Sequence, residues 1–342
     1  MTKSRTIVCE TPFRFAMTET DRPVTKPGEA LIRIRRIGIC GTDIHAFQGN
    51  QPFFTYPRIL GHELSGVIES IGDNEYGLAN GDEVAVIPYL ECGTCIACRR
   101  GKTNCCTKMK VLGVHEDGGM REYIAVPADH LIKTGGIPIE HAAMLEPLSI
   151  GAHAVRRADL EPGENVLVIG AGPIGLGVMA CAKDRGANVI AMDINEERLQ
   201  FCKDWAGAAH AVNAANEPLK QLESVTGGEL PTVVFDATGN ARSMTSAFDY
   251  AAHGGKLVYV GLVKSDITFH DPDFHKKELT LLASRNATKE DFRQVIRMVK
   301  TKSVDLDRYI THRASFENAI DSFETWLKPE SKVIKAVVSI DG

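Results

Sequence analysis

The chain has 342 residues, a net charge of -5, 44% hydrophobic and 24% charged residues, the make-up of an ordinary globular protein of about two domains. Without an excess of lysine and arginine, nucleic acid and anionic membrane surfaces are excluded as main partners. The opening MTKSRTIVCE is charged and no run approaches the ~20 apolar residues that span a bilayer, so neither signal peptide nor membrane span is expected and the cytoplasm is the expected location.

Taken in chain order, the first 145 residues read as β-rich. ALIRIRRIGI, LSGVIESIG and GDEVAVIPY are short alternating runs rich in β-branched residues, punctuated by Gly and Pro as in a partly open barrel. Residues 91–107 are too polar for core and hold Cys92, Cys95, Cys98, Cys105 and Cys106. Metal binding explains five cysteines in fifteen residues better than disulfides do in a reducing compartment. Cys9, Cys181 and Cys202 are scattered and read as small packing residues. Residues Ala142–Ala158 have a helical pattern. After them come strand, Gly-rich turn, helix and strand in NVLVIGAGPIGLGVMACAKDRGANVIAMD. The strands TVVFDATG and KLVYVGL follow, with a helix over 241–252 between them, then a sixth candidate strand ELTLLAS. Such alternation predicts a parallel sheet with helices on both faces. KEDFRQVIRMVKTK reads as an amphipathic helix and KVIKAVVSI as a strand of a tail that rejoins the first domain.

Two clusters carry metal-ligand chemistry. Four thiolates in the run Cys92-x-x-Cys95-x-x-Cys98 plus a later cysteine can close a tetrahedral zinc cage with no position open; spacing alone leaves Cys105 and Cys106 as alternatives for the fourth. The acidic chain and single short lobe make a nucleic-acid zinc ribbon the poorer reading. The other cluster is dispersed: Cys40 in GICGTDIH, His62 in LGHE and Glu146 in LEPLS, with Glu63 as ligand or outer partner. Three protein ligands leave a position for substrate, and zinc there is a Lewis acid toward a hydroxyl. Isolated residues of these types more often pack or face solvent, so this cluster gains weight from its neighbours. Thr42 can take the proton of the reacting hydroxyl and His45 can pass it on.

Gly170-Ala171-Gly172-Pro173-Ile174-Gly175 is G-x-G-x-x-G between a predicted strand and helix, with Asp193 ending the next strand. Gly170 suits the tight turn, Gly172 the approach of a pyrophosphate, and Gly175 helix-on-strand packing. The helix N-terminus provides amide donors. Asp193 would accept from both ribose hydroxyls and repel a 2′-phosphate, favouring NAD over NADP, a preference Arg198 could soften. A flavin, or a glycine turn with no ligand, is the alternative.

GICGTDIH, LGHELSGVIESIG, CGTCIACRRGKTNCC, DGGMREYIAVP and GAGPIGLGVMACA, in this order, resemble the zinc-containing medium-chain alcohol dehydrogenases over essentially the whole chain. The resemblance implies an α/β fold with a GroES-like β-rich catalytic domain, residues 1–148 and 287–342, and an inserted Rossmann domain, residues 149–286, with the zinc lobe at 91–107. Glu146 stands where the alcohol dehydrogenases proper carry a cysteine, which is similar to the sorbitol and threonine dehydrogenase branch. That branch implies a catalytic zinc on Cys40, His62, Glu63 and Glu146, relay roles for Thr42 and His45, and a structural zinc on Cys92, Cys95, Cys98 and Cys106: two Zn²⁺ per chain, with NAD. GNQPFFTYPRILGHE, VLGVHEDGG, DPDFHKKELTLLASRNATKEDF and THR resemble the bacterial L-galactonate and L-gulonate 5-dehydrogenases, implying oxidation of a hexonate to a 5-keto hexonate. For a small polyhydroxylated anion the candidate contacts are Asn50, Phe53, His115 and Arg285, whose fork matches a carboxylate; Gln51, Phe54 and Tyr56 are further candidates around them. Polyol or L-threonine oxidation is the alternative within the family, and a non-catalytic NAD or metabolite sensor the alternative outside it. Family analogy implies a homodimer or homotetramer.

Overall fold

The structure, a computed structural model, describes residues 3–51 and 54–341. It divides into two compact units, Met1–Glu146 with Leu306–Gly342, and Pro147–Asp305. Phe53 lies outside the described residues.

The spine of the first unit is the strand Glu29–Ile39. Its alternation places Ala30, Ile32 and Ile34 on the inner face with no exposure. It belongs to a seven-stranded sheet running Ile310–Ser315, Lys335–Ser339, Glu29–Ile39, Glu63–Ile71, Glu83–Val86 and Leu131–Lys133, with Tyr123–Pro127 also paired to the spine. The tail strand Lys335–Ser339 runs antiparallel to the spine's last residues, Val337 opposite Gly38, and Gly38 is also opposite Glu63 on the other side. Three segments far apart in sequence thus meet at the end of one strand, just before Cys40. The short strands Tyr89–Leu90 and Lys110–Val111 pair with each other and flank the cysteine-rich lobe.

The second unit has a six-stranded parallel sheet in the order His210–Asn213, Asn188–Asp193, Asn165–Ile169, Val233–Asp236, Lys256–Tyr259 and Thr280–Ala283. The first of these strands along the chain is thus central, and the order reverses beside it, which opens a crevice at the strands' carboxyl ends. ELTLLAS supplies the sixth strand, as its pattern predicts. The helix after TVVFDATG is shorter than expected. It covers Ala241–Ser246, because Asp249 and Tyr250 turn back to Ser246 and Ala247 with three-residue bonds.

Both domain boundaries differ from the sequence reading. The first division falls after Glu146, inside the helix Leu145–Ala158. The second falls at 305/306, not at 286/287. The reason is the helix Lys289–Lys300, which buries Phe292, Val295 and Met298. Its Asp291 accepts from Arg156 Nε at 2.7 Å and pairs with His153 Nδ1 at 2.9 Å, both on the helix Leu145–Ala158. Asp291 also caps its own helix by accepting from the Thr288 amide at 2.8 Å. Burial opposes the charge of Asp291, but His153 and Arg156 outweigh it and hold the carboxyl far below the usual range.

Candidate active site

The dispersed cluster forms where the spine ends. Cys40 is the N-cap of the helix Gly41–Phe47, and its amide donates to Asp43 Oδ2 at 2.9 Å. Asp43, 1% exposed, also accepts from the Gly61 amide at 3.2 Å. One carboxylate thereby ties the Cys40 turn to the Gly61-His62-Glu63 segment. The sequence reading missed Asp43, although its place three residues after the cap was a capping signal.

One ligand atom each of Cys40, His62 and Glu63 lies within 4.8 Å of the others. His62 Nδ1 and Glu63 Oε2 are buried without a hydrogen-bond partner. Orphaned polar atoms in such a place are rare and ask for a ligand. Sulfur, imidazole nitrogen and carboxylate oxygen converging in one buried spot suit zinc. Burial alone would depress His62, but Cys40, Asp43 and Glu146 outweigh it and carry its pKa well above the usual imidazole range. The excess of negative groups is the field a cation would neutralise. Glycine at 38 is required here, since a Cβ would overlap the Glu63 carboxylate and lie 2.9 Å from Met144 Cε.

Glu146 is buried beside this group but outside the set that shares the 4.8 Å spacing. Its Oε1 accepts the hydroxyl of Tyr89. Burial lifts its pKa to about 7 against the pull of His62, and burial together with Glu146 pushes the Tyr89 phenol well above its usual range. Glu63 Oε1 accepts from Lys335 Nζ, and both side chains are buried. Tyr89 and Lys335 also escaped the sequence reading. Both look like strand residues locally, and only sheet register brings them to the site.

Thr42 is half-buried and His45 exposed, three residues apart on the helix Gly41–Phe47. Asn50 is exposed, with its amide donating to the His45 carbonyl at 2.8 Å. The Nδ1 of His115 accepts from the Val111 amide at 3.1 Å. That bond places the proton of the neutral ring on Nε2. Arg285 is exposed, in the second unit.

The thiol groups of Cys92, Cys95, Cys98 and Cys106 all lie within 4.8 Å of one another. Tetrahedral zinc–sulfur bonds would draw them to roughly 3.8 Å, close to the 3.4 Å between Cys95 and Cys98 Sγ. The amides of Cys92 and Lys108 each donate to Cys106 Sγ at 3.3 Å. Cys105 is exposed. The structure therefore groups Cys106, and not Cys105, with the other three thiols. Donors from Thr94 lower the Cys92 thiol, and backbone amides at Cys98 and Thr107 lower Cys95, while burial raises Cys98.

In the second unit Gly170 has φ of 99° and ends the central strand. A Cβ on Gly175 would run into the Gly170 carbonyl, so turn and helix touch there without side chains. A Cβ on Gly172 would meet nothing within 4 Å; no neighbour in the chain demands glycine, which suits a cradle for an approaching group. Pro173 opens the helix Pro173–Asp184 and Ile174 follows, half-buried. Asp193 accepts from the Ala171 amide at 2.7 Å and the Asn195 amide at 2.9 Å, so it shapes the glycine turn. Arg198 is exposed, its amide donating to Asn195 at 3.0 Å. Asp236 was missed: fully buried, it accepts from Thr238 Oγ1 and Ser243 Oγ, both at 2.6 Å. It fixes the loop whose Thr238 would sit 3.1 Å from a Cβ on Gly170.

Residues 26–138 match the alcohol dehydrogenase GroES-like domain and residues 173–301 the zinc-binding dehydrogenase family. The chain is 44% identical to L-galactonate-5-dehydrogenase of Escherichia coli K12 over 339 residues, covering 99% of this chain and 100% of that protein. It is 34% identical to L-arabinitol 4-dehydrogenase of Hypocrea jecorina, over 92% of this chain and 85% of the relative. An alcohol dehydrogenase of Escherichia coli CFT073 solved with NADH superposes with a TM-score of 0.92 at 31% identity, over 99% of both chains. Among the described residues no helix is long and apolar enough to cross a membrane.

Proposed function

The chain belongs to the zinc-binding alcohol dehydrogenases, and from that premise we propose that it oxidises a secondary hydroxyl of an acyclic sugar acid, taking an L-galactonate- or L-gulonate-type hexonate and NAD⁺ to a 5-keto hexonate, NADH and a proton. The observation that carries the reaction class is the convergence of Cys40, His62 and Glu63 on one buried spot with two orphaned polar atoms. The substrate class rests on 44% identity across the whole chain to the galactonate enzyme.

Cys40, His62 and Glu63 hold the catalytic zinc, with Glu146 beside it, and Cys92, Cys95, Cys98 and Cys106 hold the structural one. Zinc supplies Lewis acidity toward the substrate hydroxyl, and the nicotinamide supplies the hydride acceptor. Thr42 accepts the hydroxyl proton as it gives up its own, and His45 passes that proton through the ribose hydroxyls to solvent. Their one-turn separation on a helix runs from a half-buried to an exposed position, the direction a departing proton needs. Gly170, Gly172, Pro173, Ile174 and Gly175 receive the pyrophosphate at the helix N-terminus. Asp193 receives the ribose hydroxyls, with Arg198 at its flank, and disfavours a 2′-phosphate by like charge. Arg285 takes the substrate carboxylate, Asn50 and His115 take hydroxyls, and Phe53 supplies an apolar wall. The enzyme works in the cytoplasm as a homodimer or homotetramer.

The likeness to L-arabinitol 4-dehydrogenase favours a second reading, oxidation of a neutral polyol. NADH production over hexonates, hexitols and L-threonine, with NAD⁺ and NADP⁺ side by side, separates the two. A hexonate with NAD⁺ is expected to give the highest kcat/KM; a hexitol ahead of every hexonate removes the sugar-acid assignment.

A further inference from the structure

Two buried carboxylates, Glu63 and Glu146, stand at the dispersed centre, and each is gripped by one donor from outside the ligand segments. The grips are unlike. Lys335, 2% exposed, donates to Glu63 Oε1 and, at 3.0 Å, to the Ile39 carbonyl, the residue before Cys40. Its amine is thus anchored to the strand that delivers Cys40, and the carboxylate it holds is the one grouped with Cys40 and His62. Tyr89 lies in the short strand that leads into the cysteine lobe. The carboxylate it holds is the one left out of the group. An ammonium–carboxylate bond is roughly twice as strong as a neutral donor's, so the two grips also differ in how readily they release.

Resting on the reading of Cys40 and His62 as ligands of the reactive zinc, we propose that Lys335 and Tyr89 are positioning residues that select between the two carboxylates. Lys335 holds Glu63 in place as the third protein ligand. Tyr89 holds Glu146 back from the metal and leaves a coordination position for the substrate.

The test uses the full-length chain with Co²⁺ exchanged into the dispersed centre while the thiolate cage keeps zinc. Lys335→Met is expected to release cobalt to a chelator ~10–100-fold faster than wild type, the usual cost of losing a partner that orients a ligand. Tyr89→Phe is expected to retain cobalt and to weaken its visible d–d bands, as Glu146 enters and the ion gains a ligand. A side chain that only supported the fold would move the melting temperature and leave spectrum and release rate alone; unchanged spectra and release in both variants overturn the assignment. Should Lys335→Met fail to fold, a crystal structure of the wild-type holoenzyme decides. Glu63 on the metal with Lys335 on its other oxygen supports the assignment, and Glu146 on the metal with Glu63 turned away overturns it. If wild type itself takes up metal only in the thiolate cage, the reading of the dispersed centre fails, an outcome seen without any variant.

Discussion

The two metal-ligand clusters of the first unit are built on opposite plans. The lobe draws its thiols from fifteen consecutive residues, Cys92 to Cys106, and half of them, Cys92 and Cys95, are only partly buried. Few apolar side chains hold that segment together, so its shape depends on the ion it encloses. The reactive centre gathers Cys40, His62 and Glu63 onto the end of one sheet strand. It is buttressed by Asp43, Tyr89 and Lys335, all at most 5% exposed. Its geometry comes from register and packing. One ion organises structure, while structure organises the site of the other.

The largest effect that would break this contrast concerns turnover. Cys40→Ser is expected to lower kcat/KM by at least ~10³-fold, since a Lewis-acidic ion contributes several kcal/mol to the barrier. NAD⁺ affinity by titration and the melting temperature should stay near wild type. Retained turnover, or a collapsed fold, would contradict the plan. Cys95→Ser should do the reverse. It should cost one zinc per chain and lower the melting temperature by roughly 10 °C, while kcat per folded chain holds; a wild-type melting curve would show the lobe does not need its ion.

A third effect sits where the lobe joins the sheet. His130, 5% exposed, meets Asp129 at 2.7 Å and Glu91 at 2.9 Å. Burial opposes its charge, but the two carboxylates prevail and raise its pKa from 6.5 to about 9. Because the folded value is the higher one, its stabilisation is full below pH 6.5 and is lost as pH rises through 9. The shift corresponds to about 3 kcal/mol. Melting temperatures of wild type should fall across that window, and those of His130→Gln should start lower and stay flatter. Parallel curves would remove the charged-histidine assignment.

The smallest effect belongs to the second unit. Asp193→Asn should weaken NAD⁺ about tenfold, as a lost charged acceptor implies, and raise the ratio of NADP⁺ to NAD⁺ turnover. An unchanged ratio would leave Asp193 only as a loop support, through its bonds to the Ala171 and Asn195 amides.

What could be read from the sequence tracks these plans. The glycine turn and the cysteine run are local signals, so motif and context suffice, and Cys105 against Cys106 needed only the direction of two thiols. Cys40, His62, Glu63 and Glu146 were legible as residue types, but the approach of Glu63 to the end of the Cys40 strand depends on the pairing of Gly38 with Glu63. Nothing near Lys335 announces a buried cation, because KVIKAVVSI reads as any edge-to-core strand. The extent of the second compact unit past residue 286 has the same origin. The amphipathic pattern of Lys289–Lys300 says that one face is buried, and only the bonds of Asp291 to His153 and Arg156 say against what.

Anomalous diffraction at the zinc edge, from crystals of the holoenzyme, tests the central claim most directly. Two peaks per chain are expected, one among the four lobe thiols and one bonded to Cys40, His62 and Glu63. A single peak in the lobe, with those three side chains bonded to nothing metallic, would contradict it.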